Sequence, residues 1–337
     1  MECHVKKLIL VTDAWLPQVN GVVVTLQKMV ELSIDHGWRV EVIEPSQFKT
    51  IPTPTYPEIR TAINPWKIRR KLEGADSIHI ATEGSLGIAA RIICGKRKWA
   101  YTTGFHTNFP EYIQRRTKIP ASKTIPLFRK FHAKSSAVLV PSFSTKEKLD
   151  AAGFKNVVLW GRGFDEDIFY PRLKFPSVIP RLLYVGRVSV EKNLVPLLEM
   201  TDGYDVTIVG DGPARKKLER DFPSAHFLGY KRGLELAEAY SAADVFVFPS
   251  RTDTFGIVMI EAMACGTPVA AYPVEGPKDA VIDGVGGFLD EDLETAIDKA
   301  RKLPLESILS NAKRYSWSSS ADTFFSNLVR LDGSIAG

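Results

Sequence analysis

No stretch of this sequence stays apolar for the ~20 residues that a membrane-spanning helix requires, so no span is expected. Cysteine is scarce. Cys3, Cys94 and Cys265 cannot all pair within one chain and lack metal-ligand spacing, which argues against a disulfide scaffold or zinc site and for reduced thiols in a cytoplasmic protein. The apolar residues 8–11 follow two lysines, but Asp13 arrives too soon for a secretory leader. There is no G-x-G-x-x-G, so a dinucleotide site, and with it a nicotinamide-dependent dehydrogenase, is disfavoured. Repeats and low-complexity tails are missing as well. What remains is ordinary soluble composition, 45% hydrophobic and 25% charged, in 337 residues that suffice for two domains with sizeable cores.

The net charge of +5 is unevenly spread. Residues 60–134 hold 16 Lys and Arg against 4 Asp and Glu, a balance of +12, so the rest of the chain carries −7. The cations cluster at 67–71, 96–98, 115–118 and 129–134, beside Trp66, Ile68, Trp99, Ile113, Phe128 and Phe131. Solvated helix faces explain any one cluster; four of them together suit an anionic membrane surface. Nucleic acid competes for the same charge, but nothing else in the chain resembles a nucleic-acid module. Trp66, Lys67, Arg69, Arg70, Lys71, Lys96, Arg97 and Lys98 are the residues expected at such a surface.

The chain is organised around PSRTDTFGIVMIEAMACGTPVAAY at 249–272. Before it, 244–248 is a short β-branched and aromatic run, as in a strand buried on both faces. Residues 268–272 read as the next strand, and 255–264 as a helix between them, stopped by Gly266 and Pro268. A helix start leaves about four amides unpaired and carries partial positive charge, so the backbone at Phe255, Gly256 and Ile257 suits a phosphate. Asp253 stands at or just before that start, where a carboxylate caps amides or accepts sugar hydroxyls. Glu261 lies in an otherwise apolar helix and needs a partner; vicinal ribose hydroxyls would serve, and escape to solvent is the plainer alternative.

A strand at 181–185 runs into Gly186-Arg187 and Lys192-Asn193, ahead of a helix at 194–200. Two cations flanking such a turn can clamp a diphosphate or simply carry surface charge. Strand 204–209 ends in the close-backbone turn Gly210-Asp211-Gly212-Pro213, and strand 225–228 ends at Gly229-Tyr230. A helix at 234–242 precedes the organising stretch; a strand at 287–290, a helix at 293–303 and residues 306–331 follow it. The first half alternates strands (7–12, 39–44, 77–81, 100–104, 137–141, 157–160) with helices (22–36, 85–95, 125–135, 144–152). Asn20-Gly21 opens the first helix in a phosphate-cradling arrangement. His106 follows a strand end, where open α/β sheets place ligands, and Glu83 is similarly placed. Asp165-Glu166-Asp167 and Asp290-Glu291-Asp292 invite a metal, but chance and helix capping account for them.

Asp253-Thr254-Phe255-Gly256 followed by Glu261-Ala262-Met263-Ala264-Cys265-Gly266-Thr267-Pro268-Val269 resembles the E-x7-E signature of retaining, GT-B-fold glycosyltransferases of family 4. The first acid is Asp here, one methylene shorter. Gly186-Arg187 with Lys192-Asn193 resembles the family's G-R-x4-K-N signature, residues 161–171 its interdomain loop, and Phe105-His106-Thr107 its F/Y-H-T segment, so the resemblance covers nearly the whole chain. It implies two Rossmann-like, doubly wound parallel-sheet domains facing across a cleft. Residues 1–170 would form the acceptor and membrane domain and 171–315 the donor domain. A C-terminal helix of about 316–337 would pack back on the first through Trp317, Phe324, Phe325 and Leu328.

The resemblance implies retaining transfer of a hexosyl group from a nucleoside-diphosphate sugar, UDP-glucose or UDP-glucuronate type favoured. The acceptor would be a lipid such as diacylglycerol, met peripherally at the inner face of the cell membrane. GDP-mannose-dependent transfer to a lipid-linked or soluble saccharide is the alternative. By the same resemblance, Arg187, Lys192 and the amides of Phe255, Gly256 and Ile257 hold the diphosphate, with Asn20, Gly21, Gly186 and Thr254 near the donor. His106 and Asp253 hold the transferred sugar, Glu261 the ribose, and Gly212 and Tyr230 border the base. No metal or other cofactor is expected. A nucleotide-sugar 2-epimerase shares this architecture, but its acidic pairings and His-rich sites are not seen. A non-catalytic basic membrane-binding protein explains the +12 segment but not the signatures of the second half.

Overall fold

The computed structural model describes residues 5–18, 20–53, 56–106, 110, 113–114 and 118–336. The chain divides into two compact units, Met1–Gly161 with Ser318–Gly337, and Arg162–Trp317. The sequence expectation drew these lines at 170/171 and about 316.

The first unit is built on a six-stranded parallel sheet of order β2-β1-β5-β6-β7-β8. Its strands are β1 (Lys6–Val11), β2 (Trp38–Ile43), β5 (Ser77–Ile80), β6 (Thr102–Gly104), β7 (Val138–Val140) and β8 (Val157–Leu159). The apolar run at 8–11 is wholly buried, as a strand covered on both faces demands. Around the sheet lie α1 (Gly21–Glu31), α2 (Ile68–Lys71), α3 (Ser85–Arg97), α4 (Ala121–His132) and α5 (Phe143–Ala151), the last capped by Ser142. The first helix is shorter than expected: it ends at Glu31, a 3-10 turn covers Ile34–His36, and Gly37 closes it at φ 75°. An antiparallel hairpin, β3 (Thr50–Thr53) with β4 (Tyr56–Ala62), was not expected, because its prolines argue against a regular strand.

In the second unit the order is β11-β10-β9-β12-β13-β14, again all parallel. The strands are β9 (Arg181–Val185), β10 (Asp205–Val209), β11 (His226–Gly229), β12 (Val245–Phe248), β13 (Val269–Ala271) and β14 (Gly287–Leu289). Its helices are α6 (Val195–Leu198), α7 (Arg215–Asp221), α8 (Gly233–Ala242), α9 (Ile257–Ala264), α10 (Glu275–Ala280), α11 (Leu293–Ala300) and α12 (Leu305–Ala312). Segment 306–331 is two helices, α12 and α13 (Trp317–Ser326). Between them the Tyr315 hydroxyl donates to the Asp279 and Ala280 carbonyls, which fixes the turn.

Most of α13 belongs to the first unit, where it is held tightly. Trp160 Nε1 donates to the Ser320 carbonyl at 3.1 Å, and the Ser320 hydroxyl to the Gly161 carbonyl at 3.0 Å. Phe324 packs on Trp160 and His79, with ring centroids 4.9 and 5.0 Å apart, and Phe325 stacks on His36. Burial drives the His79 pKa down to about 3, so that ring is a neutral core residue. Trp317 falls in the second unit instead.

Candidate active site

In an open parallel sheet the ligand crevice lies beyond the carboxyl ends of the strands, where the strand order reverses. In the second unit that point is between β9 and β12: the chain runs outward through β10 to β11, then returns to the other side of β9. The loops after these strands, 186–193 and 249–256, are joined by side chains. Lys192 Nζ donates to Asp253 Oδ1 at 2.5 Å, and Asn193 Nδ2 to the Pro249 carbonyl at 3.2 Å. Asp253 Oδ2 is buried and accepts no hydrogen bond among the described residues; the buried Ser189 hydroxyl is likewise unpartnered. Leaving such groups unsatisfied costs ~1–3 kcal/mol each, and a polar ligand would relieve it.

Here the structure corrects the sequence in one respect. Helix α9 begins at Ile257, so Asp253 lies four residues ahead of it and pairs with Lys192 instead of capping amides. The N-cap residue of α9 is Gly256, which has no side chain to cap the first amides. Gly256 precedes the helix at φ 87°, in the left-handed region that favours glycine. The Phe255 ring is buried against Tyr315, leaving its backbone as the part that can face a ligand. Thr254 is half-buried in the same loop.

Arg187 is half-buried; burial lowers its pKa, while Glu191 and Tyr230 act to raise it. Tyr230 stands exposed beyond β11. Gly186 packs under the Tyr184 hydroxyl, which donates to the Arg187 carbonyl. Gly212 is required by close approach: a Cβ there would lie 2.4 Å from the Val188 carbonyl oxygen, so the turn after β10 braces the cation loop.

Within α9, Glu261 Oε2 accepts the Tyr240 hydroxyl at 2.9 Å. Burial pushes the Glu261 carboxyl up from 4.5 to about 7, with the Tyr240 hydrogen bond pulling the other way. The Tyr240 phenol, fully buried, is itself raised well above its ordinary value, first by burial and then by Glu261. Neither Tyr240 nor Ser189 was anticipated. A tyrosine 21 residues upstream on another helix gives no spacing signal.

The first unit has its own switch point, between β1 and β5, and there a residue the sequence reading passed over is prominent. Asp13 accepts from the Leu86 and Gly87 amides at 2.9 and 3.3 Å and from the Thr82 and Ser85 hydroxyls, so it caps α3. Burial raises its pKa, and these hydrogen bonds lower it. Its place just past a strand end was the available clue. Asn20 likewise corrects an expectation: its side chain accepts from the Val22 and Val23 amides, which removes both from anion binding at the start of α1, where Gly21 is the first residue.

Glu83, expected at the acceptor or membrane surface, turns its side chain inward. Its side chain is 5% exposed and its Oε1 lies 3.2 Å from His132 Nε2, while His132 Nδ1 meets the Thr103 hydroxyl at 2.8 Å. His106 is nearly buried two residues past β6, edge-on to Trp160 at 5.4 Å. The structure therefore groups Arg187, Lys192, Asp253 and Glu261 in one unit, with His106, Asn20 and Gly21 in the other.

Of the basic clusters, Trp66, Lys67, Arg69, Arg70, Lys96, Arg97 and Lys98 are exposed, and Lys71 half-exposed. Arg97 pairs with Glu73 at 3.5 Å and lies over Trp99. On α4, Lys123, Arg129 and Lys130 flank Leu127, which is 68% exposed. Arg115, Arg116 and Thr117 fall outside the described residues. The two Asp-x-Asp segments bind their own chain: Asp292 caps α11, Asp290 holds Lys299, and Asp165 accepts the Asp167 amide.

Two doubly wound units, one with a cation-and-carboxylate site at its switch point, are the architecture of a GT-B glycosyltransferase that uses a nucleotide sugar. Residues 19–168 match the family described as "Glycosyltransferase Family 4", and residues 179–304 that described as "Glycosyl transferases group 1". The chain is 30% identical over 315 residues to the GDP-mannose-dependent alpha-mannosyltransferase of Mycolicibacterium smegmatis, covering 84% of each protein. It is 33% identical over 252 residues to the sulfoquinovosyl transferase SQD2 of Arabidopsis thaliana, across 68% of this chain but only about half (49%) of that relative's length. The fold is that of sucrose-phosphate synthase from Thermosynechococcus elongatus (TM-score 0.76, 21% identity, 95% of this chain and 97% of the other). Anabaena HepE, solved in complex with UDP and glucose, is similar too (TM-score 0.72, 18% identity, 95% and 98%). The protein belongs to glycosyltransferase family 4.

Proposed function

We propose that this protein moves a hexosyl group from a nucleoside diphosphate sugar to a hydroxyl of a lipid such as diacylglycerol, keeping the anomeric configuration. The observation that carries this reading is the Asp253 carboxylate, one oxygen on Lys192 and the other buried with no partner among the described residues, in the loop leading to the start of α9. Lys192, Arg187 and the first amides of α9 would hold the diphosphate, and Asp253 a sugar hydroxyl. Glu261 would receive the ribose.

With Asp253 bound to a lysine, it suits hydroxyl recognition better than covalent attack. Transfer would then be a front-face displacement: the bond from C1 to the diphosphate oxygen breaks, the bond from C1 to the acceptor oxygen forms, and the acceptor proton passes to the departing diphosphate. The protein's contribution is fixed positive charge where negative charge builds up. No metal or other cofactor enters this reading.

The lipid acceptor rests on the exposed cations and aromatics at 66–71 and 96–98 and along α4, which would dock the protein peripherally on the inner face of the cell membrane. Each Lys or Arg near an anionic surface contributes ~1 kcal/mol. UDP-linked glucose or glucuronate is the favoured donor. A second reading, GDP-mannose with a lipid-linked or soluble saccharide, is favoured by the mannosyltransferase relatives that match most of the chain.

The test is a product screen of UDP- and GDP-hexoses against vesicles containing diacylglycerol, neutral or anionic, at low and high salt. The expected result is a glycolipid whose formation needs anionic lipid and falls several-fold at high salt or in the Lys67/Arg69/Arg70/Lys71→Ser variant. Transfer to soluble saccharide only, indifferent to lipid charge and to that variant, would overturn the lipid reading.

A further inference from the structure

At the other end of the second unit's sheet, by the amino ends of β9, β12 and β13, the structure holds a cavity of about 470 Å³. The segment 171–180 forms one wall; the ends of α8, α9 and α11 and the start of α12 form the rest. It shares no lining residue with the site at Arg187, Lys192, Asp253 and Glu261.

Its polar lining is cationic and incompletely matched. Arg172, Lys174 and Arg301 line it together with one carboxylate, Asp244. That carboxylate is already taken by the backbone and guanidinium of Arg181, at 2.8 and 3.3 Å, and stands 3.5 Å from Lys174 Nζ. Burial lowers the Lys174 pKa even with Asp244 beside it. Arg172 donates to the neutral carbonyls of Ile168 and Tyr170 and stacks on the Tyr170 ring, and it lies close enough to Cys265 to lower that thiol's pKa against the rise from burial. Arg301 reaches Asp298 only at 3.9 Å. The Ser241 hydroxyl, 3% exposed, lines the same cavity with no oxygen or nitrogen partner among the described residues, only the Cys265 thiol beside it. Lys174 and Arg172, half-screened from water and sharing one carboxylate, beside a buried hydroxyl that has only a thiol for a partner, are what an oxyanion would complete. Pro171, Pro176, Pro180 and Pro268 restrict the backbone of the lining.

We propose that this cavity is a second ligand site, for a small phosphate monoester. The phosphate would bridge Arg172 and Lys174 and accept the Ser241 hydroxyl, and the volume leaves room for a sugar-sized remainder. The site shares no lining side chain with the donor site, although Ser241 directly follows Tyr240, the partner of Glu261, and Cys265 ends the helix that carries Glu261.

The full chain is titrated with inorganic phosphate and with a hexose 6-phosphate by calorimetry, with saturating UDP and GDP present to fill the donor site. Repeating the titration on the Arg187→Ala chain keeps the outcome independent of whether the donor reading holds. The expected result is one saturable site per chain, weakened tenfold or more by Lys174→Gln and several-fold by the near-isosteric Ser241→Ala, with nucleotide binding unchanged. Equal affinity for phosphate and hexose phosphate would identify free phosphate as the ligand; tighter binding of the hexose phosphate would identify the ester. Absence of saturable binding by either, or binding indifferent to both variants, would overturn the proposal.

Discussion

Alanine at Arg187 or at Lys192 is expected to lower kcat by ~10²–10³ in a protein that still folds. In the proposed displacement, negative charge accumulates on the leaving diphosphate, so a cation there stabilises the transition state more than the bound donor. Both kcat and kcat/KM for the donor should therefore fall together. Lys192 carries an additional load, because its loss strands the Asp253 carboxylate with both oxygens unpaired beside the diphosphate. Lys192→Ala should accordingly be the more damaging of the two. Steady-state kinetics against donor and acceptor separate the possibilities: a change confined to acceptor KM would remove both residues from the leaving-group role.

Glu261→Gln is expected to raise donor KM and lower turnover by well over tenfold, ~1.4 kcal/mol or more. The amide keeps the shape and can still accept the Tyr240 hydroxyl, but it offers one acceptor oxygen where a carboxylate offers two to vicinal hydroxyls. The pH dependence follows from the raised carboxyl. With the folded value near 7 and the ordinary value 4.5, the empty protein holds a proton on Glu261 between them. The stability linked to that proton is fully present below 4.5 and is lost as pH rises through 7. In the proposed role Glu261 holds the ribose as the anion, the opposite state, so donor KM should climb as pH falls below 7, approaching tenfold per unit. In the Gln variant that dependence should vanish. Wild-type kinetics in a folded Glu261→Gln protein would sink the assignment.

The sequence carried the sheets well because the strands at 8–11 and 245–248 are apolar on both faces, and such runs have few other places to go in a soluble chain. It pointed to Arg187, Lys192, Asp253 and Glu261 as candidates because all four lie in contiguous strings close to glycines. What it could not carry is pairing across distance. The Lys192–Asp253 contact spans 61 residues, Tyr240–Glu261 joins two helices, and Glu83–His132 closes within the first unit from 49 residues away. Asn20 shows the limit of local reading. A residue ahead of a helix looks the same whether its side chain leaves the amides open or fills them, and here it fills them.

The central claim is that the second unit's switch point binds a nucleoside diphosphate between Arg187, Lys192 and Glu261. Calorimetric titration of the whole chain with UDP and with GDP tests it most directly. One nucleotide should bind at one site per chain, tenfold or more weaker in Arg187→Ala and in Glu261→Gln, and in the wild type weaker below pH 7 than above it. Failure of both nucleotides to bind, or binding that neither variant alters, would contradict the account.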